Sequence, residues 1–435
     1  MAKQIIRQPN RMAIMTKLEA VPAQYLTVGR TAMVLLPFAL GYFLSYLFRA
    51  VNAVVAPDLV SELGLSASEL GVLTAAYLLA FAIFQLPLGV ALDRYGPRRV
   101  QIVLLSCAAL GGIGFVLGRN VATLTVARAL IGLGFAGGLM SGFKAVVLWV
   151  PEPRRALANS LVMSLGALGL MVATAPMEYA VQAFGWRTAF AGLVAITAAV
   201  AFLIYVAVPE RGNAPATVPL SEQFRQIGGI YSDKGFLALA PLLAATAGTH
   251  IAIQTLWGGP WMRDVAGLDR TGVANALFIM AAAFFVGILG TGAVADWFVR
   301  RKVNVLKVMV GFIGLFLGAQ TVIIFAPVAV SMWAWLLFGC VGQVAILAYP
   351  WLSSHFGGAL SGRANTAMNL VIFAAAFVVQ SGIGALIDLY PRVASGGYPP
   401  EAYRFAFGAF LTLQVLALGW FLARSPVFRR CENPN

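Results

Sequence analysis

Charge is scarce in this chain. Charged residues make up 11% of its 435 positions, and Asp and Glu together number only 16. A soluble globular protein carries about 25% charged residues, and in water a chain of this length would need far more polar surface to cover its core. The three cysteines, Cys107, Cys340 and Cys431, have a spacing that fits neither a metal site nor a disulfide framework. The composition therefore argues against a soluble enzyme.

Hydrophobic residues fill 60% of the chain instead. They form twelve long runs, here called segments 1 to 12, and each run is long enough to cross a hydrocarbon core of about 30 Å as a helix. The sequence therefore predicts an all-α membrane protein with twelve transmembrane helices. The approximate spans are 31–56, 71–92, 100–118, 121–150, 156–184, 188–208, 235–262, 271–295, 304–325, 328–353, 366–388 and 404–424.

Membrane topology explains the net charge of +14 better than a nucleic-acid partner does. With a cytoplasmic N-terminus, 21 Lys and Arg residues fall in cytoplasmic segments and 6 in outer loops. This excess predicts a multi-pass protein of the cell (inner) membrane with both termini in the cytoplasm. Three basic residues remain inside the predicted helices, namely Arg49, Arg128 and Lys144.

The chain is predicted to contain two six-helix halves. Residues 1–208 form the first half, 209–234 a cytoplasmic central loop, and 235–435 the second half. The halves share a pattern of Gly-x3-Asp followed by basic residues, once from Gly89 and once from Gly292, 203 positions later. Two pseudo-symmetric bundles around a site near the membrane midplane are typical of secondary transporters.

Two motifs resemble those of the major facilitator superfamily. The stretch Gly89-Val-Ala-Leu-Asp93-Arg94-Tyr95-Gly96-Pro97-Arg98-Arg99 resembles its loop signature, with Pro97 where a basic residue is common. The stretch Arg128-Ala-Leu-Ile-Gly132-Leu-Gly134 resembles its fourth-helix motif. The resemblance implies a cytoplasmic gating latch in which Asp93 meets charges and a helix N-terminus, with the Asp296 cluster as a weaker copy. For Arg128, a structural or gating role is favoured over direct contact with substrate. The predicted gating residues are Gly89, Asp93, Arg94, Gly96, Arg98, Arg99, Arg128 and Asp296.

A finer resemblance concerns segment 1. The run from Tyr46 to Leu59 is similar to helix 1 of organic-anion members, which include glycerol-3-phosphate:phosphate antiporters and anion:cation symporters. This resemblance implies that Arg49 helps to hold an anion. The glycerol-3-phosphate antiporters use a second arginine in helix 7, where this sequence has only His250 and Gln254. A carboxylate or another small anion is therefore favoured over a phosphate ester.

Ionisable and polar side chains within the membrane segments are candidate ligands. A guanidinium offers fixed, bidentate donors to a carboxylate, although Arg49 could also be a structural arginine or extend to the membrane surface. Lys144 could likewise reach either the cavity or the cytoplasmic interface. The candidate substrate-binding residues are Arg49, Tyr46, Asn52, Tyr77, Lys144, His250, Gln254, Trp257, Asn369 and Gln380.

Two residues are candidates for proton coupling. His250 can titrate near neutral pH, or it can be a neutral, hydrogen-bonded histidine. Glu178 is the clearest acidic residue within a segment, and it could carry a proton or pair with a basic residue. Apart from Glu178, nearly all carboxylates lie in loops or at helix ends.

These observations predict a secondary active transporter of a small organic anion, working by alternating access. Proton-coupled symport and anion exchange both fit. One alternative is a proton-coupled exporter of drugs or metabolites, and another is a membrane sensor with a transporter fold. The chain has neither a nucleotide-binding loop nor zinc-ligand spacing. We therefore expect no enzymatic activity, no cofactor and no metal. Besides the lipid bilayer, the expected partners are the anion and either protons or a counter-anion, and the carrier is predicted to be a monomer.

Overall fold

The structure is a computed structural model that describes residues 28–210, 220–357, 360–394 and 396–424. Four of the basic residues that support a cytoplasmic N-terminus, Lys3, Arg7, Arg11 and Lys17, lie outside this part of the chain. So do Arg211, Arg429 and Arg430.

The described residues of the first half form eight α-helices, because three membrane crossings are interrupted and two share one helix. Segment 4 is interrupted at residues 136 and 137, and segments 2 and 3 form one helix. Segment 1 is divided at Val51, and segment 5 is divided at Thr174, whose backbone angles are not helical. The helices are α1 (Val28–Ala50), α2 (Asn52–Leu63), α3 (Ala67–Leu117), α4 (Val121–Phe135), α5 (Gly138–Trp149), α6 (Arg155–Val172), α7 (Ala175–Phe184) and α8 (Trp186–Ala207).

Helix α3 contains two predicted crossings, segments 2 and 3, joined by a sharp turn at Gly96. This glycine has φ 78° and ψ 162°, a backbone region that residues with a Cβ atom rarely adopt. Pro97 follows, and proline is favoured where a helix begins. The second glycine of the loop signature is therefore the residue that turns the chain between two crossings.

The second half follows α9 (Leu220–Ser232), which lies in the predicted central loop. A π-helical turn, Ile253–Trp257, interrupts segment 7, and a 3₁₀ turn, Val344–Leu347, interrupts segment 10. The helices are α10 (Lys234–Ala252), α11 (Gly258–Asp264), α12 (Arg270–Arg300), α13 (Val305–Phe325), α14 (Val328–Val341), α15 (Ala348–Phe356), α16 (Ser361–Ile387) and α17 (Pro400–Ala423).

In the described part of the chain, eleven helical stretches are long and apolar enough to cross a membrane. One of them is the 51-residue α3, which makes two crossings because of the turn at Gly96. The fold is thus the predicted all-α membrane fold with twelve crossings in two six-helix bundles. Helices α3 and α16 pack together along the boundary between the bundles.

The two ends of the bundle pair carry different clusters of charged residues. One end, here called the basic end, carries the loop signature around Asp93 and the second cluster around Asp296. The opposite end, here called the far end, carries Asp58, Arg270 and Asp388. The site described next lies between these two ends.

Candidate functional site

A central cavity of about 260 Å³ lies between the two halves. It extends toward the basic end, where Asn365 lies one turn inside the start of α16. Arg49 is the one charged residue among the described side chains that line the cavity. The sequence places it at the end of α1, next to the break at Val51.

The guanidinium of Arg49 is surrounded by aromatic rings. Its central carbon lies 4.6 Å from the ring centre of Tyr46, 5.1 Å from that of Phe81 and 4.8 Å from that of Phe373. The first two rings belong to the first half and the third to the second half. Arg49 is 8% exposed, and its Nε has no hydrogen-bond partner in the described structure. Burial of a cation without an anionic partner is costly, and none of the described residues supplies such a partner to Arg49.

Other polar groups line the same cavity. His250 and Gln254 contribute from segment 7, and the Nε2 atoms of both lack a hydrogen-bond partner within the described residues. The hydroxyl of Tyr349 donates a hydrogen bond to Oδ1 of Asn369. Five of the ten candidate ligands therefore line the central cavity, namely Tyr46, Arg49, His250, Gln254 and Asn369.

Four further candidates are instead used in contacts between helices. Asn52 donates to Thr74 Oγ1 at 3.1 Å, and the Tyr77 hydroxyl donates to the carbonyl of Ser45 at 3.0 Å. Gln380 accepts a hydrogen bond from Thr255 at 3.2 Å. Trp257 donates from its indole to the carbonyl of Gln380 at 2.9 Å. These polar groups join neighbouring helices rather than line the cavity.

Trp257 lines a second, smaller cavity. This far-end cavity has a volume of about 130 Å³ and is bordered by Pro57, Arg270 and Tyr398, among others.

The structure places Lys144 away from the cavity lining. Its Nζ lies 2.7 Å from Oδ1 of Asp93, and both residues belong to the first half. The ammonium group thus pairs with the loop-signature carboxylate. The sequence could not distinguish this arrangement from a cavity role, because a lysine side chain is long enough for both.

The remaining gating candidates lie at the basic end. Arg98 donates to the carbonyl of Tyr205 at 2.7 Å, and both Arg98 and Arg99 pair with Glu210. The Arg94 guanidinium lies over the ring of Tyr95.

Asp296 pairs with Arg300 at 2.7 Å, one turn along the same helix. Asp93 and Asp296 are therefore each paired inside their own half.

Gly89, the first glycine of the loop signature, lies in open space, since a Cβ atom added there would have no neighbour within 4 Å.

Arg128 is fully buried in the first half. Its Nη1 donates to the carbonyl of Phe48 at 2.9 Å, and its guanidinium lies 5.2 Å from the ring centre of Tyr77. Phe48 directly precedes Arg49, so Arg128 holds the last turn of α1, which carries Arg49.

Glu178 lies in an ionic cluster at the far end that joins the two halves. Arg270 of the second half binds Glu178 of the first half. It also binds Asp58 of the first half through two hydrogen bonds, of 3.0 and 2.6 Å. Gln182 donates a further hydrogen bond to Glu178, at 2.7 Å. The structure shows Glu178 paired with a basic residue, and a role of Glu178 in proton coupling stays a prediction.

A second contact joins the halves at the far end. The carboxylate of Asp388 accepts hydrogen bonds from the backbone N–H groups of Ala67, at 3.0 Å, and Ser68, at 2.7 Å. These groups begin α3, where the helix dipole favours an anion. Burial alone would raise the pKa of Asp388, but the hydrogen bonds from Ser68, Tyr398 and Ala67 outweigh burial and hold this pKa below its ordinary value of 3.8.

Several site residues were not predicted from the sequence. The aromatic residues that line the cavity are Phe81, Phe284, Phe373 and Tyr349. The charged residues at the far end are Asp58, Arg270 and Asp388. The aromatic residues resemble ordinary core residues in a sequence that is 60% hydrophobic. Asp58 and Arg270 are 212 positions apart, and nothing local in the sequence indicates that they pair.

Fold and site together define a multi-pass membrane carrier with a cavity between two helical bundles. Residues 38–380 match the Major Facilitator Superfamily, and the chain belongs to this family.

Curated relatives of this chain include several named transporters. It is 26% identical over 313 residues to the probable sulfoacetate transporter SauU of Cupriavidus necator, which covers 68% of this chain and 71% of that protein. It is 25% identical over 337 residues to the probable L-galactonate transporter of Escherichia coli, which covers 72% of each. It is also 28% identical over 256 residues to a chloramphenicol resistance protein of Streptomyces lividans, with 58% and 63% covered.

Among solved structures, the chain resembles a bacterial homologue of the human lysosomal transporter Spinster in an inward-facing and occupied conformation. The TM-score is 0.75 at 16% identity, and the match covers 93% of this chain and 99% of that one. The likeness supports the fold.

Proposed function

We propose that this protein is a secondary active transporter that moves a small, carboxylate-like organic anion by alternating access. The observation that carries the proposal is the Arg49 guanidinium, which is buried in the central cavity and has no anionic partner in the described part of the chain. A carboxylate could accept two parallel hydrogen bonds from such a group. The names of the sulfoacetate and L-galactonate relatives support an organic acid as substrate.

The arrangement of contacts supports a state in which the central cavity faces the basic end. The clusters around Arg270 and Asp388 join the halves at the far end. At the basic end, Asp93 and Asp296 pair within their own halves. Because Lys and Arg collect on the cytoplasmic side, we assign the basic end to the cytoplasm of a cell whose inner membrane holds the carrier.

Two coupling modes remain within the proposal. Anion exchange is supported by the cavity lining, which includes no Asp or Glu among its described residues. Proton-coupled symport would place the proton on His250, the titratable imidazole that lines the same cavity. Uptake driven by an imposed pH gradient, compared between the wild type and His250→Gln, separates the two modes.

The experiment that tests the proposal is uptake of a radiolabelled carboxylate panel into proteoliposomes. We expect Arg49→Ala to abolish uptake of the best substrate, and Arg49→Lys to retain a fraction because it keeps the charge but loses the fork of donors. The exposed Arg404 supplies the matched control, and Arg404→Ala should transport normally. Unchanged uptake by Arg49→Ala would refute the anion site.

A proton-coupled exporter of drugs or metabolites is the second candidate. The similarity to the chloramphenicol resistance protein favours it. It predicts that cells expressing the protein resist chloramphenicol and that resistance is lost in Glu178→Gln. Anion transport that is unaffected by Glu178→Gln, without any resistance, would exclude this candidate.

A further inference from the structure

We propose that the substrate is a monoanion with an apolar or aromatic body, such as an aromatic carboxylate or sulfonate, rather than a doubly charged or polyhydroxylated acid. This inference rests on the proposed function and narrows it. It follows from three features of the central cavity, namely its charge, its walls and its free hydrogen-bonding groups.

The first feature is the single cation. Arg49 is the one charged side chain among the described lining residues. Lys144 is paired with Asp93, and Arg270 is held by Asp58 and Glu178 at the far end. With a neutral His250, a second negative charge on a substrate would therefore lie in the cavity without a counter-charge, and desolvation of such a charge is expensive. The cavity fits one negative charge.

The second feature is the wall around that charge. Tyr46, Phe81 and Phe373 enclose the guanidinium, and the rings of Phe81 and Phe373 are 4.3 Å apart. Phe284 continues the aromatic wall, at 6.3 Å from Tyr46. An anion head on Arg49 places the adjacent part of the substrate against these rings. An aromatic or aliphatic body gains free energy from that burial, whereas hydroxyl groups lose their water there.

The third feature is the small number of free buried polar groups: among the described lining residues, besides Arg49, these are Nε2 of His250, Nε2 of Gln254 and Oδ1 of Asn365. Five amide side chains line the cavity, and three already bond within the protein. Gln85 donates to the carbonyl of Ala136 at 3.2 Å, Asn365 donates to Ser353 at 3.3 Å, and Asn369 accepts from Tyr349. A sugar acid carries several hydroxyl groups, and each one left unpaired in a buried site lowers affinity. The cavity therefore discriminates against polyhydroxylated acids.

The proposal departs from the substrates after which two relatives are named. Sulfoacetate carries two acidic groups, and L-galactonate carries several hydroxyl groups. The similarity to those proteins is 25–26% in identity, a level at which side chains lining a cavity can differ while the fold is kept.

The test is equilibrium binding to the purified full-length protein at neutral pH. The four probes are benzenesulfonate and benzoate, as apolar monoanions, L-galactonate, as a polyhydroxylated monoanion, and sulfoacetate, as a dianion. Each is measured on the wild type and on Arg49→Gln. We expect the two apolar monoanions to bind about tenfold or more tightly than the other two, and Arg49→Gln to abolish binding of all four.

The outcomes separate the inference from the function on which it rests. If L-galactonate or sulfoacetate binds as tightly as benzenesulfonate, and this binding is lost in Arg49→Gln, the inference is wrong and the anion carrier stands. If no probe binds, or binding survives in Arg49→Gln, both are wrong.

A pair of matched variants tests the aromatic wall itself. Phe373 lines the cavity, whereas Phe377, one turn along α16, is not among the lining residues. We expect Phe373→Leu to weaken benzenesulfonate binding several-fold and Phe377→Leu to leave it unchanged. Equal binding by the two variants would refute the role of the aromatic wall.

Discussion

Two buried arginines in the first half make different contacts. Among the described residues, Nε of Arg49 has no hydrogen-bond partner, whereas Arg128 uses its Nη1 to hold the backbone carbonyl of Phe48, and its Nε and Nη2 have no partner. The two residues are linked, because Phe48 and Arg49 are neighbours in the last turn of α1. We interpret Arg128 as a positioning residue for Arg49.

Substitution of Arg128 by lysine tests this interpretation. The charge remains buried, but the ammonium group cannot reproduce the planar fork of donors. A hydrogen bond from a charged donor contributes about 1.5–3 kcal/mol, so we expect Arg128→Lys to lower the free energy of unfolding by roughly that amount and to weaken anion binding. Thermal unfolding in detergent measures the first effect. The exposed Arg404 provides the control, and Arg404→Lys should change stability by less than about 0.5 kcal/mol.

Asp388 provides a second test at the level of a single residue, based on how stability depends on pH. Its pKa is lower in the folded protein than the ordinary 3.8, so its contact with α3 is fully stabilising above that value. The contribution is lost as the pH falls through the lower, folded pKa. We expect Asp388→Asn to reduce stability by about 1 kcal/mol, equally at all pH values from about 5 to 8.

Below about pH 4, the difference between Asp388→Asn and the wild type should shrink, because the wild-type carboxylate is then protonated. Melting temperatures of both proteins across this pH range measure the effect. A difference that grows on acidification would contradict the assignment.

Helices α3 and α4 approach each other closely at a glycine. Gly132 in α4 belongs to the fourth-helix motif, and a Cβ atom at this position would lie 2.1 Å from the backbone carbonyl oxygen of Tyr77 in α3. A backbone atom cannot move aside as a flexible side chain can. The motif glycine therefore sets the distance between α3 and α4, and with it the position of Arg128.

We accordingly expect Gly132→Ala to separate the two helices and to cost at least about 2 kcal/mol of stability. At the exposed Gly192 in α8, an added Cβ atom would have no neighbour within 4 Å, so Gly192→Ala should be neutral or slightly stabilising. Comparison of the folded yield and melting temperature of the two variants checks this prediction. Equal stability would mean that the close approach is not required.

Helices were largely predictable from the sequence, and their interruptions were not. Hydrophobic runs located the membrane crossings because the bilayer dictates both length and composition. The π-helical turn at Ile253–Trp257 and the 3₁₀ turn at Val344–Leu347 leave no such trace, since they depend on packing between helices. Arg49 was identified because a charge stands out in an apolar segment. Phe81 and Phe373 were missed because aromatic residues do not.

On the scale of the whole molecule, the two halves are joined at the far end by charge. Arg270 neutralises two carboxylates of the opposite half, Asp58 and Glu178. Removal of the guanidinium leaves two carboxylates of the first half without the cation that ties them to the second half. The ionic cluster therefore favours the far-end-closed state over the far-end-open state.

We expect Arg270→Gln to increase the far-end-open population about tenfold or more, because charge-assisted hydrogen bonds are lost. Spin labels on the exposed residues Ser61 and Glu401, one in each half, measure the opening as a longer distance. Arg187 is the matched control, since it pairs with Glu62 at 2.5 Å within the first half. If Arg187→Gln opened the far end as much as Arg270→Gln does, the cross-half cluster would not be the cause.

The contact between Asp388 and the start of α3 has a consequence for how the carrier can be observed. The amide hydrogens of Ala67 and Ser68 are covered by a carboxylate from the other half, so they are shielded only while the far end is closed. In the proposed alternating access, each opening of the far end would expose these two amides to water. Deuterium uptake at these positions would therefore report the conformational cycle in the unlabelled protein and count openings without any chemical probe.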